Sequence, residues 1–167
     1  HSEALEICEN ILQITPNDPK LLQSKAYILS NLGKHSEALE IYNNILQINP
    51  DDVATLHRKG YALSHLGKHS EALEIYNNIL QINPNSIETL QSKAYDLSYL
   101  GKYSEALEIY EKLLQLNPGN TTLLKNKAYA LYFTKQFLLA IKLIEKILDD
   151  PSAVDTTFCH LYAKILK

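Results

Sequence analysis

The chain has 167 residues, 46% hydrophobic and 21% charged, with 5 Gly and 6 Pro, a composition that excludes a disordered tail, a collagen-like rod and a disulfide scaffold. Lys plus Arg number 16 and Asp plus Glu 19, a formal net charge of −3 with no block of like charge, so no electrostatic footprint exists for a phosphate backbone and nucleic acid is not an expected partner. No apolar run approaches the roughly 18 residues that cross a bilayer and no basic-then-apolar leader opens the chain, so membrane insertion is not expected either.

Residues 1–18 begin with HSEALEICENILQITP, whose apolar positions recur at helical spacing and stop at Pro16. Within it Cys8 lies between Ile7 and Ile11 on the apolar stripe, the place of a small buried hydrophobe. Cys159 is far along the chain and no C-x-x-C spacing occurs, so neither a zinc site nor a redox pair is expected, and the usage fits a reducing compartment such as the cytoplasm. The first residue is His1 rather than Met, as in a processed product or a piece of something longer. Full helical pairs are then expected over residues 19–52, 53–86, 87–120 and 121–153.

The second of these shows the logic. In Val53 to Leu66 the residues Leu56, Gly60, Leu63 and Ala62 or Leu66 share one helix face, which must be buried. Gly67 ends that helix as a residue tolerant of positive φ, Ser70 is the expected side-chain cap of the next helix, and Glu71 and Glu74 suit its positive N-terminal end. Ala72, Leu73, Ile75, Tyr76, Ile79, Leu80 and Ile82 cover more than half of that second helix, so it packs on two sides. Asn83-Pro84 stops it, and Asn85 or Ser86 can cap the helix that follows. Residues 154–167 supply one further first-type helix, with Phe158, Leu161, Tyr162, Ile165 and Leu166 on one face.

Gly33 to Pro50 and Gly67 to Pro84 read the same eighteen residues, GKHSEALEIYNNILQINP, at an offset of 34, and a close copy starts at Gly101. A degenerate copy follows from Lys135. With Leu56, Gly60, Leu63, Gly67, Ala72, Tyr76 and Pro84 repeated one period to either side, the chain resembles the tetratricopeptide repeat (TPR) family along nearly its whole length. The resemblance implies an all-α fold, a right-handed α-solenoid of helix-turn-helix repeats: a half repeat, four full repeats and a terminal half repeat in one domain. It departs from the family where Leu22, Leu56, Leu90 and Leu124 replace an aromatic, and where Lys25, Lys59, Lys93 and Lys127 replace an apolar residue. Those lysines are expected to lay their stems on the packed side and carry the ammonium outward or to an acid. Ala38, Ala72, Ala106 and Ala140 recur where small side chains let helices approach closely.

By the same resemblance the first helices line a concave wall that receives peptides or helices of other proteins. The expected lining is Gln23, Tyr27 and Asn31, then His57, Tyr61 and His65, then Gln91, Tyr95 and Tyr99, then Lys125, Tyr129 and Phe133. Tyr27, Tyr61, Tyr95 and Tyr129 place one ring in every repeat, either as contact residues or as packing between neighbouring helices. The wall does not resemble the carboxylate clamp of chaperone-binding TPR domains, which sets Asn and Lys or Arg where this chain has Tyr. His57 and His65 stand about 12 Å apart along one helix, too far to share an ion, and His35 and His69 read as packing residues. Asn120-Thr121-Thr122 matches a glycosylation acceptor, a motif short enough to recur by chance, but Asn is also a favoured helix cap there and capping is the expected role. No His-Glu-x-x-His, phosphate loop or Gly-x-Ser-x-Gly occurs, so no catalysis, cofactor or metal is expected. The role expected is a protein-interaction scaffold. The alternative is a self-assembling structural protein, in which the last helix (Phe158, Leu161, Tyr162, Ile165) docks on the first (Leu5, Cys8, Leu12) of the next copy, a head-to-tail contact that does not close.

Overall fold

The computed structural model describes residues 2–15, 18–148 and 156–165. Among the described residues the chain is all-α, with helices α1 (Ser2–Ile14), α2 (Pro19–Asn31), α3 (His35–Ile48), α4 (Val53–His65), α5 (His69–Ile82), α6 (Ile87–Tyr99), α7 (Tyr103–Leu116), α8 (Thr121–Phe133), α9 (Phe137–Leu148) and α10 (Thr156–Ile165). They fall into two compact units, His1–Pro84 and Asn85–Lys167. In each unit successive helices pack on one another, and a first helix also touches its predecessor of the same type: α4 touches α2, and α10 touches α8. No described helix is long and apolar enough to cross a membrane.

The turn inside each hairpin closes with one pair of backbone bonds. Lys68 N–H donates to the Leu63 carbonyl at 2.9 Å and Gly67 N–H to the Ser64 carbonyl at 3.0 Å, the two bonds of a Schellman C-cap. Lys34 and Gly33, Lys102 and Gly101, and Gln136 and Lys135 repeat that pairing. The geometry needs a left-handed residue, and Gly33, Gly67 and Gly101 supply it at φ of 76°, 75° and 74°, while the fourth hairpin holds Lys135 there at 60°.

Because the turn is so short, the chain re-enters helix at His69 and Lys68 occupies the cap position, with no side-chain cap bond. Ser70 therefore lies inside the first turn of α5, not at its cap as the sequence led one to expect. The end of that helix is served by Glu71, paired with Lys68 at 3.3 Å. Between hairpins the caps do come from side chains. Asp18 accepts from Lys20 N–H at 2.8 Å, Ser86 from Thr89 N–H at 3.4 Å, and Asn120 from Leu123 N–H at 3.1 Å. Asp52 instead accepts from the Thr55 hydroxyl at 2.6 Å and from the Gln23 amide at 2.7 Å, so α2 is tied to the start of α4.

The core of each hairpin is a small residue on the first helix beneath a large one on the second. Ala26 and Tyr42 share one cluster with Ala38 and Ala62, and Ala128 and Ile144 share another. A Cβ built on Gly60 would lie 2.6 Å from the Tyr76 ring, so the ring rests on bare backbone. Ala38, Ala72, Ala106 and Ala140 are completely buried, as their role in close approach requires. On the α4 face it is Ala62 that is buried, while Leu66 is partly exposed; Ile48, Ile82 and Leu116, at the ends of the second helices, face solvent. The lysine series covers its stems as expected: Lys25 and Lys127 are half-buried and reach Glu9 at 2.9 Å and Glu111 at 3.1 Å.

Lys135 carries a side chain into a backbone region that disfavours one by about 1–2 kcal/mol. Lys135→Gly is expected to raise unfolding stability by about 0.5–1 kcal/mol after the entropy of the freer chain is deducted. Chemical denaturation measures it, and an unchanged midpoint would remove strain from the account of this turn.

Candidate protein-interaction surface

Tyrosine falls into two classes that the repeat separates by helix. Tyr42, Tyr76 and Tyr110, on second helices, are 0–1% exposed, whereas Tyr27, Tyr61 and Tyr95, on first helices, are 51%, 46% and 42% exposed. The first set is core. The second lies on the outer side of its helices, and Tyr129 is half-buried.

In the first unit Tyr61 and His65 are one turn apart on α4, with ring centroids at 4.3 Å. His65 stacks on His35 at 4.6 Å and 15°, and Tyr61 meets His35 edge-on at 6.4 Å. His35, at the start of α3, is thus the packing residue that the sequence implied, but one that extends the aromatic row of the next first helix. Burial, reinforced by His65, holds the His35 imidazole below its ordinary pKa, and its Nδ1 is buried without a hydrogen-bond partner among the described residues. The Arg58 guanidinium lies 4.8 Å over the Tyr27 ring, a cation–π contact. Asn31 is exposed, and Gln23 is half-buried with its amide donated to Asp52 and to the Thr55 hydroxyl at 2.9 Å. His57 is half-buried, its ring 5.6 Å from that of Tyr76.

In the second unit the rings enclose space. Tyr95 and Tyr99 lie 4.7 Å apart on α6, and Tyr103 stacks on Phe133 at 4.5 Å and 7°. Together with Tyr129 and the edge of Tyr110 they line a cleft of about 420 Å³, completed by Ser98, Asn126 and Ala130. Its floor is fixed by hydrogen bonds: the Tyr110 hydroxyl donates to the Ala94 carbonyl at 3.1 Å and lies 3.1 Å from the Ser98 hydroxyl. Burial pushes the Tyr110 hydroxyl pKa up, with the Ser98 hydrogen bond acting in the opposite direction. No lining side chain carries a formal charge.

Of the residues singled out from sequence, Tyr95, Tyr99, Tyr129 and Phe133 meet in this cleft, while Gln91 and Lys125 are half-buried and outside its lining. Tyr103 and Asn126 were not among the candidates. Tyr103 was legible as one of the ring-bearing series His35, His69, Tyr103, Phe137; Asn126 has no periodic signal. Asp96, fully buried on α6, is an acid that the pattern of exposed glutamates did not foretell. Among the described residues no three His, Cys, Asp or Glu side chains are placed to hold a metal. In α1, Leu5 packs inward on the Ala26 cluster and Leu12 is half-buried, as is Cys8. In α10, Tyr162 and Ile165 pack against Ala128, Ile144 and Ile147. The side chains of Phe158 and Leu161 lie outside the described residues.

Residues 1–92 match the family described as Psidin, N-terminal TPR repeats region, and residues 99–152 match the tetratricopeptide repeat. Among solved structures the chain is similar to a tetratricopeptide repeat protein from Parabacteroides merdae ATCC 43184, at 24% identity and a TM-score of 0.78. That match covers 98% of this chain but 64% of the other, so the chain spans less than two thirds of that protein. MamA from Desulfovibrio magneticus RS-1, residue 41 to the end, is similar at 18% identity and a TM-score of 0.81, over 93% of this chain and 88% of that one. YrrB, described as a TPR protein with an unusual peptide-binding site, is similar at 18% identity and 0.77, over 98% and 82%. These likenesses establish the fold. No curated protein matches the chain.

The depressed His35 pKa has a pH consequence. An unfolded histidine takes up a proton near its ordinary 6.5 while folded His35 does not, so stability is present above that pH and is lost as pH falls below it. The loss of unfolding stability between pH 7.5 and 5.5 is expected to be smaller in His35→Tyr than in the parent chain, as read by denaturation at each pH. Equal losses would place the proton elsewhere.

Proposed function

Because this chain belongs to the tetratricopeptide repeat family, which its residues 1–92 match, we propose that it is a non-catalytic scaffold that holds a peptide or helix of another protein against the faces of its first helices. The observation that carries this is the division of tyrosines. A ring kept half in water on the first helix of one repeat after another contributes little to packing, whereas rigid amphipathic rings are enriched at protein interfaces. The description of YrrB as a peptide-binding TPR protein supports the same reading. In the first unit the contacts would be Tyr27, Asn31, Tyr61 and His65, with His57 behind them and Gln23 holding the helices in place. In the second they would be Tyr95, Tyr99, Tyr129 and Phe133, flanked by Gln91 and Lys125. Peptides selected from a displayed library on the parent chain are expected to bind Tyr61→Ala/Tyr95→Ala at least tenfold more weakly. Undiminished affinity would remove the tyrosines from the contact.

One observation favours a second reading, head-to-tail assembly. Ile11 on α1 is 41% exposed although its equivalents Ile45, Ile79 and Leu113 are at most 4% exposed, and Ala4 is exposed where every later equivalent is buried. The face that a first helix covers elsewhere is bare. Moreover Cys8 is small where Tyr42, Tyr76 and Tyr110 are large, and Tyr162 is large where Ala26, Gly60, Ala94 and Ala128 are small. Seated on α1 of another copy, α10 would restore a small-on-large contact with the sizes exchanged. Tyr162 is already partly covered within its own unit, which limits what it can offer. Sedimentation velocity over a concentration series is expected, on this reading, to show growing species that Cys8→Tyr suppresses; a monomer throughout would eliminate it.

A further inference from the structure

Resting on the scaffold reading, we infer that the cleft of the second unit binds an uncharged, proline-rich segment in the polyproline II conformation. The argument starts from charge. The lining carries hydroxyls, one amide and aromatic rings but no ionised group, so a charged ligand side chain entering it would lose water without gaining a counter-ion. A phosphorylated or acidic motif needs an arginine cluster, and the chain's one arginine, Arg58, is in the other unit, over Tyr27.

Geometry then separates the neutral ligands. An added strand needs a sheet edge, and the described residues contain no strand. A helix spends its backbone carbonyls on its own hydrogen bonds, so it would offer the Asn126 amide and the hydroxyls of the lining no backbone partner. A single polyproline II turn is three residues and about 9 Å long, and its backbone carbonyls make no internal hydrogen bonds. Such a segment presents what the lining can use. Pyrrolidine rings lie flat on Tyr99 and on the Tyr103–Phe133 stack, as proline-rich segments do in other aromatic-lined grooves, while the Asn126 amide donates to a free carbonyl. The ligand is already ordered before binding, so little conformational entropy is lost.

The test is a titration of the full chain with acetylated, amidated decaproline, followed by NMR and calorimetry. Saturable binding is expected, with resonance shifts at Tyr99, Asn126 and Phe133. Tyr99→Ala/Phe133→Ala, two exposed positions whose loss circular dichroism should show to be harmless to the fold, is expected to weaken it at least tenfold. Ile48→Ala, at an exposed second-helix end in the other unit, is expected to leave it unchanged. No binding of decaproline, while library-selected peptides still shift the cleft resonances, would overturn the ligand class and leave the scaffold standing. No peptide of any kind shifting first-helix resonances in either unit would overturn both. Decaproline binding that the double variant does not weaken would also overturn the inference.

Discussion

Each hairpin depends on one contact, a first-helix residue with little or no side chain lying beneath a large second-helix side chain. Gly60 under Tyr76 leaves no room for a Cβ, and Ala26 with Tyr42 and Ala128 with Ile144 repeat the pairing within their clusters. The contact lets two helix backbones approach until the alanines of the second helices are fully excluded from water. Close approach removes apolar area at about 25 cal/mol per Å² and fills space that would otherwise lack dispersion contacts. The hairpin turn serves this contact: a left-handed residue closed by two backbone bonds reverses the chain in the fewest residues and sets α5 against α4 in register.

Once the second-helix tyrosine is committed to the core, the tyrosine of the first helix has nowhere inward to go. It lies on the opposite side of its own helix, and the residue four positions later stands beside it. Differences between the two units follow from what occupies those neighbouring positions. In the first unit they are His35 and His65, small rings that stack closely on each other. In the second they are Tyr103 and Phe133, larger rings that stack with each other and, with Tyr95, Tyr99 and Tyr129, leave a cleft. The same backbone period therefore carries a closely stacked imidazole pair in one unit and a ring-lined cleft in the other.

Departures from the period mark where local rules yield. Lys135 adopts a glycine's conformation because the two turn bonds and the packing of α9 on α8 outweigh the strain of a single residue. Asp52 keeps the backbone of a cap but makes no side-chain cap bond, because its carboxylate accepts from the Thr55 hydroxyl and from the Gln23 amide, and the second of these bonds joins two repeats. Lys25 and Lys127 find glutamates on the preceding second helix, and being half-exposed such pairs contribute little beyond covering the lysine stem.

Helix number, helix order and the buried faces were legible in the amino-acid sequence because they depend on spacing: 34-residue self-similarity fixes the hairpin, and the three- and four-residue apolar recurrence fixes which face turns inward. Gly67 and Asn120 were legible for the same reason, each being a residue type matched to one backbone conformation at one position. The cleft was not. Its rings come from three helices, α6, α7 and α8, and whether Tyr103 lies on Phe133 depends on how far one hairpin is set from the next, a distance that no spacing along the chain encodes. Nor could the sequence place Ser70, whose capping chemistry is sound in isolation but which the short turn carries two residues past the cap position at Lys68. Local chemistry is written in the order of residues; the separation of faces that meet across hairpins exists only after the hairpins have packed.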